Sequence, residues 1–185
     1  NGTDPWPGSR VIAIQKANAA NAFSNQKLAL STANLYSAVQ PGGSLFGLQL
    51  SNPVDTQTAY QGPAKQYGTL KDPAVGRRIG GVNVFGGGLA LYADGRVIGA
   101  LGVSGDSSCA DHNIAWRIRH ALHLDRVPAG VNKGNYGGTI APASGDDNII
   151  YEPGGFSHPY CGFGEKSVTD LPSTPRATAA AAKAK

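Results

Sequence analysis

Residues 80–122, GGVNVFGGGLALYADGRVIGALGVSGDSSCADHNIAWRIRHAL, constrain the fold more than any other part of the chain. At their centre Asp94-Gly95 lies between two apolar runs. That pair supplies the two positive φ angles of a type I′ turn, and so predicts a tight hairpin. Every residue over 97–103 is apolar or glycine, which predicts a strand covered on both faces. Strands are expected over 81–85, 89–92 and 96–103. A helix over 109–124 follows, opened by Ser107 or Ser108, with Ile114, Ile118, Ala121 and Leu122 as its buried stripe.

Upstream, residues 1–8 read as an extended lead-in and Ser9 as the N-cap of an alanine-rich helix over 10–23. Ile12, the Lys16 stem, Ala19, Ala20 and Phe23 recur there at helical spacing. A second short helix over 32–40 is stopped by Pro41 and Gly42-Gly43. Residues 51–73 hold Pro53, Gly62, Pro63, Gly68 and Pro73 and read as one long loop. Beyond Pro128 only 148–151 has strand character, and residues 171–185 form an Ala- and Pro-rich low-complexity tail. The division is a core over 1–127, an irregular extension over 128–170 and the tail.

Composition narrows the function classes. The 185 residues fit one domain with a real core, while 26 glycines and 12 prolines point to many turns. A net charge of +4 is mild, and Arg77, Arg78, Arg96, Arg117, Arg119, Arg126 and Lys133 are scattered; this argues against nucleic acid as partner. No apolar run approaches the ~20 residues of a membrane span. With no methionine and a first residue of Asn1, the chain reads as a processed product.

No nucleophile elbow, HExxH or CxxCH motif occurs, so covalent c-type haem is excluded and no complete catalytic constellation can be assembled. Gly86-Gly87-Gly88 lacks the pattern of a phosphate loop and precedes a strand rather than a helix. Cys109 and Cys161 read as a structural disulfide, with a redox pair or metal ligands as the alternative. The bond would tie the extension to the start of the last helix, stabilise by roughly 4 kcal/mol, and imply a periplasmic or secreted protein.

Three of the four histidines, His112, His120 and His123, share that helix, and His158 lies near Cys161. His120 and His123 suit a solvated helix end beside Arg117 and Arg119. His112 follows Cys109 by three residues and His158 precedes Cys161 by three. A disulfide would gather both imidazoles with Asp106, Asp111 and Tyr160, giving a site for iron, a haem edge or a proton-transfer pair. The plainer alternative is that His158-Pro159 only packs within an ordered loop. Tyr60 and Tyr67 in the long loop are a second location for a site.

The set Gly80-Gly81, Asp94-Gly95 and GALGVSG over 99–105, with Gly8-Ser9-Arg10, Ala13, Lys16-Ala17 and Ala20 to Phe23, resembles the GlcG/HbpS-like family over about residues 8–125. Cys109-Ala110-Asp111-His112-Asn113 and Phe156-Ser157-His158-Pro159-Tyr160-Cys161 resemble a Cys-containing secreted branch of it. The resemblance implies an α+β, profilin-like antiparallel sheet flanked by helices, and an association with haem b or iron. It makes His112, His158, Tyr160 and Asp111 the candidate cofactor ligands, with His112 and His158 on a metal.

Members of that family place a helix and two strands before the lysine-alanine helix, and this chain shows no counterpart. Another polypeptide, such as the N-terminal part of the same precursor, is therefore expected to complete the sheet in a homo- or hetero-oligomer. The function expected is an extracytoplasmic haem- or iron-associated binding protein. The alternative is a non-catalytic interaction subunit of a larger secreted or periplasmic complex.

Overall fold

The structure is a computed structural model that describes residues 6–131, 146–151, 153–165, 170–172 and 174. Its frame is an α+β arrangement in which a two-stranded antiparallel sheet is flanked by helices. Helix α1 (Pro7–Ala22) starts one turn earlier than expected. Trp6 is its N-cap, and Pro7 at the first turn supplies a pre-set φ where no amide donor is needed. Two short helices follow, α2 (Thr32–Leu35), capped by the Ser31 hydroxyl, and α3 (Thr56–Ala59), whose amides donate to the Asp55 carboxylate. The 51–73 segment thus contains a helical turn that its glycines and prolines concealed.

The hairpin forms as its turn chemistry requires. Strand β1 (Gly88–Ala93) pairs with β2 (Arg96–Gly102), and Asp94 and Gly95 adopt φ of 49° and 73°. The register runs from Gly88↔Gly102 to Ala93↔Arg96, with a bulge that leaves Ile98 without a partner. Helix α1 crosses this sheet closely. A Cβ on Gly102 would strike the Ala13 carbonyl oxygen, so glycine there is a packing requirement.

Two expectations fail on the sheet. Residues 81–85 are not a strand; the Thr32 hydroxyl takes the Phe85 carbonyl (2.7 Å), and just before them Gln15 takes that of Gly80 (3.3 Å). Side chains satisfy backbone groups that a ladder would otherwise need. Nor is β2 covered on both faces, because Ile98 is 57% exposed. Its outer edge has no strand beside it among the described residues.

Helix α4 (Ser108–Ala121) is capped by the Ser107 hydroxyl, as expected, but turned by about half a revolution from the expected orientation. Its buried residues are Cys109, Asp111, His112, Asn113, Ala115, Trp116 and Arg119, whereas Ile114, Ile118, Ala121 and Leu122 face outward. Ala115 and Trp116 pack with Leu89 and with Leu171. Leu171, assigned to the tail, is therefore part of the core; residues 175–185 lie outside the described residues. No helix among the described residues is long and apolar enough to cross a membrane.

Candidate functional site

The site is organised by α4 and the segments that close over its first two turns. Cys109 and Cys161 are disulfide-bonded with Cα atoms 6.2 Å apart. The loop around Cys161 is also held by bonds independent of the sulfurs. The Ser107 hydroxyl donates to the Phe163 carbonyl (2.9 Å) and Asn113 Nδ2 donates to that of Gly164 (2.6 Å). On its other side the Ser37 N–H donates to the Ser157 carbonyl and the His158 N–H to that of Ile150 (2.8 Å).

His158 is 4% exposed and its ring lies 4.9 Å from that of Tyr36. Nδ1–H donates to the Pro159 carbonyl (2.7 Å), which leaves the lone pair on Nε2; that atom is buried and has no partner. Burial pushes the imidazole below its ordinary pKa, so the ring is neutral and the lone pair is available near pH 7. Beside it opens a cleft of about 490 Å³ whose walls include Tyr36, Phe85, Ser107, Ser108 and Tyr160. That volume lies in the range of small-molecule sites.

Behind this wall lies a buried ion pair. Lys16, fully buried on α1, donates to Asp111 (3.0 Å) and to the Val103 carbonyl (2.9 Å), and sits 4.4 Å from the centre of the Phe85 ring. Burial is the larger influence on both groups. It pulls the ammonium pKa down and pushes the carboxyl up, against the attraction of each for the other. Gly87, at φ 122°, allows this approach, since a Cβ there would stand 3.0 Å from Lys16 Nζ and 3.1 Å from the Asp111 Cβ. The glycine triplet is a crossing point of α1, α4 and the hairpin.

His112 is placed differently from His158. It is fully buried; its Nε2 accepts from the Ile149 N–H (3.1 Å) and lies 3.0 Å from Asn148 Oδ1, while its Nδ1 is buried without a partner among the described residues. Burial pushes its pKa down to about 4. With Asn34, which bonds the Asn148 carbonyl and the Ile150 N–H, it occupies the backbone of 148–151 that strand composition suggested for a sheet. The segment is extended against side chains and joins no ladder.

The four sequence candidates therefore separate. Asp111 is neutralised by Lys16, Tyr160 is 71% exposed and stacks on Tyr151 with centroids 4.6 Å apart, and His112 holds the 148–151 segment. Among the described residues, the metal-spaced group is Cys109, His158 and Cys161, whose ligand atoms lie within 4.8 Å of one another. His120 pairs with Asp125 (2.7 Å), and His123 is exposed with a φ of 57°. Tyr67 lies under Arg10, which pairs with Asp72, and its hydroxyl donates to the Tyr60 carbonyl (3.1 Å). That aromatic pair is tied into a structural corner.

Two residues were missed from the sequence. Arg119 makes a bidentate, fully buried pair with Asp147 (2.7 Å for both bonds), donates to the Ala90 carbonyl and lies 4.7 Å from the Trp116 ring. Lys16 was read only as a stem. Its signal was present: a cation within a buried alanine stripe needs a buried partner.

A family model described as haem degrading protein HbpS-like matches residues 2–119. An uncharacterized 15.0 kDa protein in the dhaT-dhaS intergenic region of Citrobacter freundii is 37% identical over 84 residues, which are 45% of this chain and 41% of that protein. The match thus spans less than half the length of this relative. No solved structure matches.

Proposed function

This chain belongs to the HbpS-like family, and on that premise we propose that it is a haem- or iron-associated binding protein whose ligand enters the cleft walled by His158. The observation that carries this reading is His158 Nε2, a buried lone pair with no partner beside an aromatic-walled cleft. An unpaired buried acceptor costs about 1–3 kcal/mol, which a ligand bond would relieve. The residues present fit the group: His158 is the iron ligand, Tyr36 and Phe85 are apolar walls, and Tyr160 is a polar rim. Bound there, haem would supply an iron centre able to take an axial ligand or an electron.

The chain's own residues do the rest. The Pro159 carbonyl fixes the His158 tautomer, in the manner of outer-shell partners that orient ligating imidazoles. Lys16 and Asp111 brace the wall behind Phe85, and the disulfide holds the His158 loop on α4. His112 positions the 148–151 segment and is not a ligand in this reading. The disulfide also supports an extracytoplasmic location.

A second reading, an interaction subunit completed by another chain, is favoured by the β2 edge, which has no strand beside it among the described residues, and by the outward apolar row on α4. The two readings combine if the haem-associated protein works within an oligomer. Haemin titration followed in the Soret band tests the first. His158→Ala is expected to weaken binding by about 1.4 kcal/mol or more, a factor of ten, while His112→Gln retains it. Equal affinity in wild type and His158→Ala would move the site. Wild type without haemin affinity but above 19.0 kDa in native mass spectrometry would favour the second reading.

A further inference from the structure

We infer that Cys109, Cys161 and His158 form a redox-gated site for a zinc-class divalent cation, closed while the disulfide is intact and opened by its reduction. The site shares His158 with the haem cleft but does not depend on haem binding.

The spacing is close to what one ion needs. Sulfur ligands at about 2.3 Å and an imidazole nitrogen at about 2.0 Å in a tetrahedron stand roughly 3.5–3.8 Å apart. The His158 nitrogen lies within 4.8 Å of both sulfurs, and the sulfurs, bonded to each other in the disulfide, must part to about 3.8 Å, so reduction followed by a shift of about 1 Å in each sulfur completes the set. Two thiolates and one imidazole suit zinc, and three protein ligands leave a fourth position for water or a cleft-bound group.

Cutting the S–S bond would not let the ligands drift apart. The Cys161 loop stays on α4 through Ser107 to Phe163 and Asn113 to Gly164, and on its far side through Ser37 to Ser157 and His158 to Ile150. The Cys109 N–H, in the first turn of the 14-residue α4, donates to Cys161 Sγ (3.2 Å). An amide at a helix N-terminus favours a thiolate over a thiol. The separate observation pointing to a ligand is again the buried, unpartnered Nε2 of His158.

The opening step balances with a dithiol reductant. Its thiolate attacks Sγ of Cys161, which is partly exposed, whereas Cys109 is fully buried. The S–S bond breaks and Cys109 leaves as a thiolate. The reductant's second thiol then displaces Cys161 and closes a cyclic disulfide. Two electrons and two protons pass to the protein. The divalent cation then replaces both thiol protons and releases them to solvent.

Cobalt(II) titration of the reduced and the oxidised chain, in the absence of haemin, tests this. The reduced chain is expected to take one Co²⁺ with sulfur-to-cobalt charge-transfer absorption and intense tetrahedral visible bands, displaced by Zn²⁺. The oxidised chain is expected to show neither. His158→Ala should weaken reduced-state binding about tenfold or more, and Cys161→Ser should remove the charge-transfer band's two-thiolate intensity. The proposal is overturned by a reduced chain without the tetrahedral spectrum, or by His158→Ala binding like wild type, which would mean adventitious capture by two thiols. A reduced chain whose native circular dichroism is lost and not restored by Co²⁺ would overturn it equally.

Discussion

The two faces of α4 invert the usual rule. Its inner face carries Asp111, His112, Asn113 and Arg119, all buried, and its outer face carries Ile114, Ile118 and Leu122 at 42%, 38% and 54% exposure. Each inner residue has at least one specific partner, Lys16 for Asp111, the Ile149 N–H for His112, the Gly164 carbonyl for Asn113 and Asp147 for Arg119, although His112 Nδ1, Asn113 Oδ1 and Arg119 Nε are buried without one among the described residues. Burial of a polar face is tolerable when every charge is paired and expensive when one is not. The aliphatic face finds no such cover among the described residues. The lesson is that partner supply, not hydropathy, decided which side of this helix became interior.

The largest effect should come from removing one inner partner. Arg119→Met leaves the Asp147 carboxylate buried without its bidentate donor, and is expected to cost about 3–5 kcal/mol in urea unfolding. Arg119→Met with Asp147→Leu removes both charges and should recover much of that loss, since a well-packed apolar pair often matches a buried ion pair. If the single variant lost under 1 kcal/mol, the claim that paired charges hold the inner face would be wrong.

The same contrast explains what could be read without coordinates. The hairpin turn, the Ser107 cap, the helical alanine stripe and the disulfide were legible because each is a local signal or one of very few choices. The profilin-like α+β class came from the family resemblance. Residues 81–85 and 148–151 misled because their backbone groups bond side chains of Thr32, Asn34 and His112, remote in sequence. The α4 face was misread by anchoring its stripe on Ile114. Taking Trp116 as the anchor would have gathered His112, Ala115 and Arg119 on one side, and would have made the cation at that face a demand for an acid. Of the site, His158 and the cysteines were legible as a neighbourhood. Lys16 was legible as a cation in a buried stripe, but its partner was not, because Asp111 is 95 positions away.

A smaller effect comes from acid. Burial holds the His112 pKa at about 4, below the ordinary 6.5, so the fold favours the neutral ring. That contribution is fully present above pH 6.5 and is lost as pH falls through the window down to about 4, because the unfolded chain then binds a proton that the native ring refuses. The full span amounts to roughly 3 kcal/mol. Urea midpoints from pH 7 to pH 4 should therefore fall more steeply for wild type than for His112→Gln, which keeps hydrogen-bonding capacity without an imidazole. Parallel curves would mean that His112 titrates normally and that the inner face is wetter than its burial indicates.

The smallest effect belongs to the outer face. Ile118 is 38% exposed, on a surface where substitutions usually change stability by less than about 0.5 kcal/mol. Ile118→Ser should therefore leave the urea midpoint of a monomeric sample almost unchanged, although it replaces an aliphatic side chain by a polar one on the helix that carries Cys109. Isoleucine retained at an exposed position contributes little within a single chain, so any larger effect must come from a neighbour. If the protein assembles through this face, the same substitution would lower its native mass or make its unfolding depend on concentration while the monomer stays folded. A loss of more than about 1 kcal/mol at concentrations where only monomer exists would show that the row from Ile114 to Leu122 is covered within the chain itself. The two faces of α4 would then both be interior, and the comparison would collapse.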